Sequence, residues 1–250
     1  MECSMSGTRF RMVLRSALFG LAVVLSHPAV AGELTDAVSA NDLAQVNSLL
    51  AGGADVNAPS RSGTALHIAS GAGATEIMAA LIAAGADIEA EGPAGFRPLH
   101  LAAKKNQPAA VKLLIEHGAK VDSRDSFGFT PLMVALDFPP EGFDAAEVLI
   151  ASGADLNAQD RPDRWTALHW AADKGRVEVA RFLIARGADI NARGVLDATP
   201  LHAAVIHHRL EMIGFLVASG ADVNARNKNG ETPIDLARGN AEAFRSFQQP

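Results

Sequence analysis

A glycine followed by alanine, usually with aspartate third, returns six times along this chain. It stands at Gly53, Gly85, Gly118, Gly153, Gly187 and Gly220, at intervals of 32, 33, 35, 34 and 33 residues. A second marker keeps step with the first: Thr64-Ala65-Leu66-His67, Arg97-Pro98-Leu99-His100, Thr130-Pro131-Leu132-Met133, Thr166-Ala167-Leu168-His169, Thr199-Pro200-Leu201-His202 and Thr232-Pro233-Ile234-Asp235. Two markers in phase exclude coincidence and make the chain an array of copies of one small unit. A unit of this size has too little core to offset its own ordering entropy, so neighbours must stack and share a continuous seam.

Each unit reads as two short antiparallel helices and a projecting loop. The motif threonines Thr64, Thr130, Thr166, Thr199 and Thr232 stand where a hydroxyl accepts from an unpaired helix-start amide. Pro98, Pro131, Pro200 and Pro233 follow at the first helical position, where a missing N–H costs nothing. Gly73 and Gly175 permit a left-handed turn into the second helix, which in the fourth internal unit reads Val177, Val179, Ala180, Phe182, Leu183, Ile184. That spacing makes an amphipathic or nearly buried helix. Gly187 and its equivalents suit the residue just past the helix end, where positive φ favours glycine. Alanines at 69, 102, 103, 171, 172, 203 and 204 let helices approach closely.

The Thr-Pro-Leu-His-x-Ala core at a period of about 33 resembles the ankyrin-repeat family, from about Leu34 to Phe247. The resemblance implies an all-α solenoid of stacked helix-turn-helix units with projecting loops or β-hairpins. It divides the chain into a degenerate N-terminal capping repeat at 32–58, repeats at about 59–91, 92–124, 125–160, 161–193 and 194–226, and a truncated C-terminal capping repeat at 228–250. In the first cap Ala37, Val38, Val46, Leu49 and Leu50 form an apolar face, with Asp36, Asn41, Asp42 and Gln45 toward water. Phe244 and Phe247 are placed to seal the last seam.

Residues 1–31 are of a different kind. Arg9, Arg11 and Arg15 precede an uncharged apolar run from Ser16, Pro28 breaks it, and Ala29-Val30-Ala31 gives a small-x-small pattern. This is the layout of a cleavable signal peptide, with cleavage expected after Ala31. The run falls short of the roughly 20 apolar residues of a spanning helix. Loss of Arg9, Arg11, Arg15 and Glu2 moves the formal charge from −6 to −8. Such acidity disfavours nucleic acid and anionic membrane as partners. The single cysteine, Cys3, leaves with the leader, which fits an oxidising compartment.

No nucleophile motif, phosphate-binding glycine loop or zinc spacing is present, so the expectation is a binder without catalysis, cofactor or metal. The resemblance gives the motif histidines His67, His100, His169 and His202 a structural role, tying loop to helix. Met133 and Asp235 break the series, which argues against a shared catalytic task. His207-His208 near His202 lacks an acidic or Cys partner in sequence and reads as a surface pair.

In the family, the residue before each motif and the exposed tail of the first helix line a concave groove. Those residues here include Phe96, Phe129 and Trp165, three aromatics in consecutive loops of a chain with 5% aromatics and no Tyr. With Phe127 they are expected to form a row, read either as partner anchors or as side chains folded onto the neighbouring loop. Trp170 reads as core. Lys104, Lys105, Asp173 and Lys174 occupy the family's variable positions and tune the charge of the groove or simply meet solvent. The third internal unit departs from the pattern at Asp137-Phe138-Pro139-Pro140-Glu141-Gly142-Phe143, where Phe138 and Phe143 either anchor a partner or tuck beneath it. The function expected is a periplasmic protein-interaction scaffold acting as a monomer. The alternatives are a secreted effector acting on a host protein and a regulator of a neighbouring periplasmic enzyme.

Overall fold

The computed structural model describes residues 28–137, 142–161, 163–238 and 241–247. Fourteen α-helices among them form seven consecutive pairs. The first three pairs are α1 (Pro28–Ser39) with α2 (Leu43–Ala51), α3 (Ala65–Ala72) with α4 (Thr75–Ala83), and α5 (Pro98–Lys104) with α6 (Pro108–Glu116). Next come α7 (Pro131–Asp137) with α8 (Asp144–Ala151) and α9 (Ala167–Lys174) with α10 (Val177–Ala185). The last two are α11 (Pro200–Ile206) with α12 (Leu210–Ala218), and α13 (Pro233–Ala237) with α14 (Ala241–Ser246). There is no β-strand among the described residues: where the resemblance allowed β-hairpins, the projecting loops are tight turns with one isolated bridge, Ser60 to Gly63.

Local chemistry sets the ends of these helices. Proline occupies the first turn of α5, α11 and α13, and the repeated glycines lie two residues beyond the last residue of the second helices, at φ between 85° and 94°. At Gly187 an added Cβ would meet nothing within 4 Å, so the constraint there is backbone conformation and not space. The threonines behave less simply than their sequence suggests. Thr130 and Thr232 hydroxyls accept the amides of Met133 and Asp235. At Thr64, Thr166 and Thr199 the hydroxyl instead lies 2.8–2.9 Å from the motif imidazole.

The core is a pair of leucine columns. Leu66, Leu99, Leu132, Leu168 and Leu201 from the first helices, and Leu81, Leu114, Leu149, Leu183 and Leu216 from the second, are all 1% exposed or less. Ala69, Ala102, Ala171 and Ala204 fill the spaces between, where a larger side chain would hold the helices apart. Successive first helices pack closely from α3 through α7 and again from α9 to α11, but α7 and α9 meet far less extensively. The cause lies in the third internal unit: Thr130 and Thr166 are 36 residues apart, and Met133 replaces the histidine that ties neighbours elsewhere.

The loop tips are stitched backbone to backbone. Ser126 N–H donates to Ala94 O, Arg161 to Phe127 O, Val195 to Asp163 O and Lys228 to Leu196 O, at 2.7–3.0 Å. At the N-terminus, the expected cleavage after Ala31 falls within the first turn of α1, ahead of the buried Leu34, Ala37 and Val38. Val46 is buried and Leu49 and Leu50 half-buried, while Asp36, Asn41, Asp42 and Gln45 are exposed. Phe247 packs on the core at the other end; the side chain of Phe244, like residues 1–27, lies outside what is described. No described helix is long and apolar enough to cross a membrane.

Candidate functional site

Four buried histidines brace the loops that carry the site. Each Nδ1 accepts from the backbone amide of Thr64, Arg97, Thr166 or Thr199 at 3.1–3.2 Å. The amide can only donate, so the ring proton resides on Nε2. From there His67 donates to Phe96 O, His100 to Phe129 O, His169 to Ala198 O and His202 to Glu231 O, at 2.9–3.2 Å. All four are 0% exposed. Burial lowers the pKa of each, for His169 to about 4. A fixed donor aimed at Nδ1 opposes protonation further. The approach is close: a Cβ on Gly194 would stand 3.1 Å from His169 Nε2 and 2.8 Å from Trp165 Cδ1, so only glycine fits.

Phe96, Phe127 and Phe129 come together with Lys104 and Val134 around a depression of about 160 Å³. Phe96 stacks on His100 (5.5 Å between centroids, 15°) and is half-buried, as are Phe129 and Trp165. Phe127 is 56% exposed. Phe129 reaches Trp165 through Trp170, whose ring lies 5.5 Å from Phe129 and 4.9 Å, edge to face, from Trp165. Trp170 is therefore half-buried on the strip, not in the core where its sequence position suggested. That position, held by Ile68, Leu101, Val134 and Ala203 in other units, lies between core and groove, and a tryptophan there is long enough to emerge.

Two buried carboxylates hold the aromatics in place. Asp160, 4% exposed, accepts Trp165 N–H (2.7 Å) and Trp170 Nε1–H (2.8 Å), and burial raises its pKa. Asp125 accepts the amides of Phe127 and Phe129 at 2.9 and 2.8 Å. Neither was singled out from sequence. The signal available was the spacing of Asp160 and Asp125 five and four residues before the loop aromatic, in the Asx-type position that caps a tight turn.

Charge gathers along the tails of the first helices. Lys104 stands over the Phe96 ring at 5.4 Å and Lys174 over Trp170 at 5.5 Å. Lys105 is exposed and lies away from the depression, its stem beside Gly71. Asp137 is bound by Lys174, and Arg176 approaches it at 3.7 Å. Asp173 is 3.0 Å from His207 Nε2, so the acidic partner absent from the local sequence comes from the neighbouring unit. Phe143 tucks against Phe182 at 4.4 Å, resolving one of the two readings for that loop; Phe138 lies outside the described residues. Among the described residues no three His, Cys, Asp or Glu side chains converge to hold a metal.

The comparisons agree with this architecture. A profile described as ankyrin repeats (three copies) matches residues 34–125, 94–160, 124–194 and 141–227. The ankyrin repeat domain of Bcl-3, described as a unique member of the IkappaB protein family, is 26% identical with a TM-score of 0.77. The match covers 86% of this chain and 97% of that one. The human ASB11 ankyrin repeat domain is 28% identical with a TM-score of 0.71, covering 86% and 96%. The sequence has no significant match among curated proteins. Repeats of this kind act as protein-interaction scaffolds. With matched segments running from 34 to 227 and a continuous stack of paired helices beneath them, the chain belongs to the ankyrin-repeat family.

Proposed function

We propose that the protein is exported, loses residues 1–31, and works in the periplasm as a non-catalytic monomer that holds a partner protein in its concave groove. The observation that carries this reading is the strip formed by Phe96, Phe127, Phe129, Trp170 and Trp165. Five aromatics follow one another along this strip, with Phe127 56% exposed at its loop tip, and aromatics are the favoured anchors of protein interfaces. The half-buried members of the strip brace the loops as well, so the face is already ordered before a partner arrives. The expected cleavage point supports the export step, because it leaves the buried part of α1 intact.

The test is a photo-reactive residue placed at position 127, and separately at exposed position 178 on α10, in the chain expressed in a Gram-negative host. Cross-links to another protein from 127 and not from 178, on material whose N-terminus reads Gly32 in the periplasmic fraction, are the expected result. An intact N-terminus in the cytosol removes the export step. Cross-links from 178 alone move the binding face to the outer helices.

A further inference from the structure

The strip combines three things that together select a ligand. First, the depression beside Lys104 has apolar walls from Phe96, Phe127, Phe129 and Val134, with Asp125 and Asp137 completing its lining, and a volume of about 160 Å³, enough for one large apolar side chain. Second, among the described residues the tails and following turns of α5, α7, α9 and α11 carry Lys104, Lys105, Lys174, Arg176 and Arg209 against Asp137 and Asp173. This basic run stands out in a chain whose span after Ala31 has a formal charge of −8. Third, the acids on this face are withheld from a ligand. Asp125 Oδ1 accepts two loop amides and its Oδ2, though without a partner, is buried, Asp137 is bound by Lys174, and Asp173 lies 3.0 Å from His207 Nε2. Lys104 and Lys105 have no carboxylate within ion-pairing distance among the described residues.

We infer that the groove takes an extended acidic peptide segment of its partner, with one bulky apolar side chain seated between Phe96, Phe127 and Phe129, one carboxylate over Lys104 and a second at the Lys174 and Arg176 end of the strip. The inference rests on the groove being the binding face. A basic segment is disfavoured, because the ring faces that would receive its ammonium groups are occupied: Lys104 stands over Phe96 and Lys174 over Trp170. Spacing follows from the stack. Lys104 and Lys174 end first helices two units apart, about 16–20 Å at the usual separation of packed helices. An extended chain covers that distance in about five or six residues. Two acidic positions at that separation, with the apolar residue beside the first, define the segment.

Random peptides displayed on phage, panned on the protein purified from cells expressing the full chain, provide the test. The expected consensus is a leucine- or phenylalanine-sized residue flanked by Asp or Glu, with a second acid about five or six residues away. A synthetic peptide of that consensus should lose about tenfold or more in affinity to Lys104→Glu, and similarly to Phe127→Ala. Both side chains are exposed, and unchanged melting of each variant shows that the fold is kept. A neutral or basic consensus still lost in Phe127→Ala overturns the acidic class and leaves the groove standing. An acidic consensus that binds both variants undiminished places the site elsewhere and overturns the groove reading itself. Panning that yields no consensus overturns the inference.

Discussion

His169 is held neutral by burial, with its pKa lowered to about 4, and His67, His100 and His202 move in the same direction. In the unfolded chain each takes up a proton near pH 6.5. Below that value the unfolded state binds protons that the folded state refuses, so stability is fully present above about pH 6.5 and falls as pH drops toward 4. For His169 alone the difference is about 3 kcal/mol across that window. Urea or thermal melts should therefore show clear destabilisation from pH 7 to pH 5. His169→Gln should be weaker at pH 7 but lose less on acidification, and melting unchanged between pH 7 and pH 5 would contradict the account. The role of these histidines was legible in sequence through the family resemblance. That of Trp170 was not, because a repeating apolar position reveals which way a side chain points and not how far it reaches. Asp160 was also missed, since its partners Trp165 and Trp170 become neighbours only once the loop has turned back over α9.

Helix boundaries were the most readable part of the sequence, because proline in a first turn and glycine past a last turn act through local backbone geometry alone. The packing between helices follows almost as directly, from the two leucine columns. Leu201, fully buried at the join between α11 and its neighbours, should cost about 2–5 kcal/mol when changed to Ala. A urea melt of Leu201→Ala close to that of the parent would mean the stack can close over the gap, and the shared-seam account would fail. The absence of strands in the loops was harder to foresee. Hairpins and tight 3-10 turns such as Pro93–Gly95 and Val195–Asp197 draw on similar residues, and the choice between them depends on how the next loop packs above.

The stack is not uniform along its length. Where α7 and α9 meet poorly, the join relies on Phe129 against Trp170, Phe143 against Phe182, Asp137 with Lys174 and Arg176, and Glu147 with Arg186. None of these pairs could be read from sequence, since their members are 37 to 41 residues apart and are brought into register by the extra length of the third internal unit. Repeat arrays unfold by neighbour coupling, so the weakest junction sets where cooperativity breaks. Hydrogen exchange in moderate urea should resolve α1–α8 and α9–α14 as two units, with Asp137→Ala widening the gap between them. A single exchange class in both proteins would contradict this. The loop-tip ladder has a different bearing. Because it joins main chain to main chain from Ala94 through Lys228, the exposed side chains of Phe127 and Leu196 take no part in the joinery. Substitutions of those two side chains should therefore leave the fold of the array intact while changing the chemistry its loop tips present.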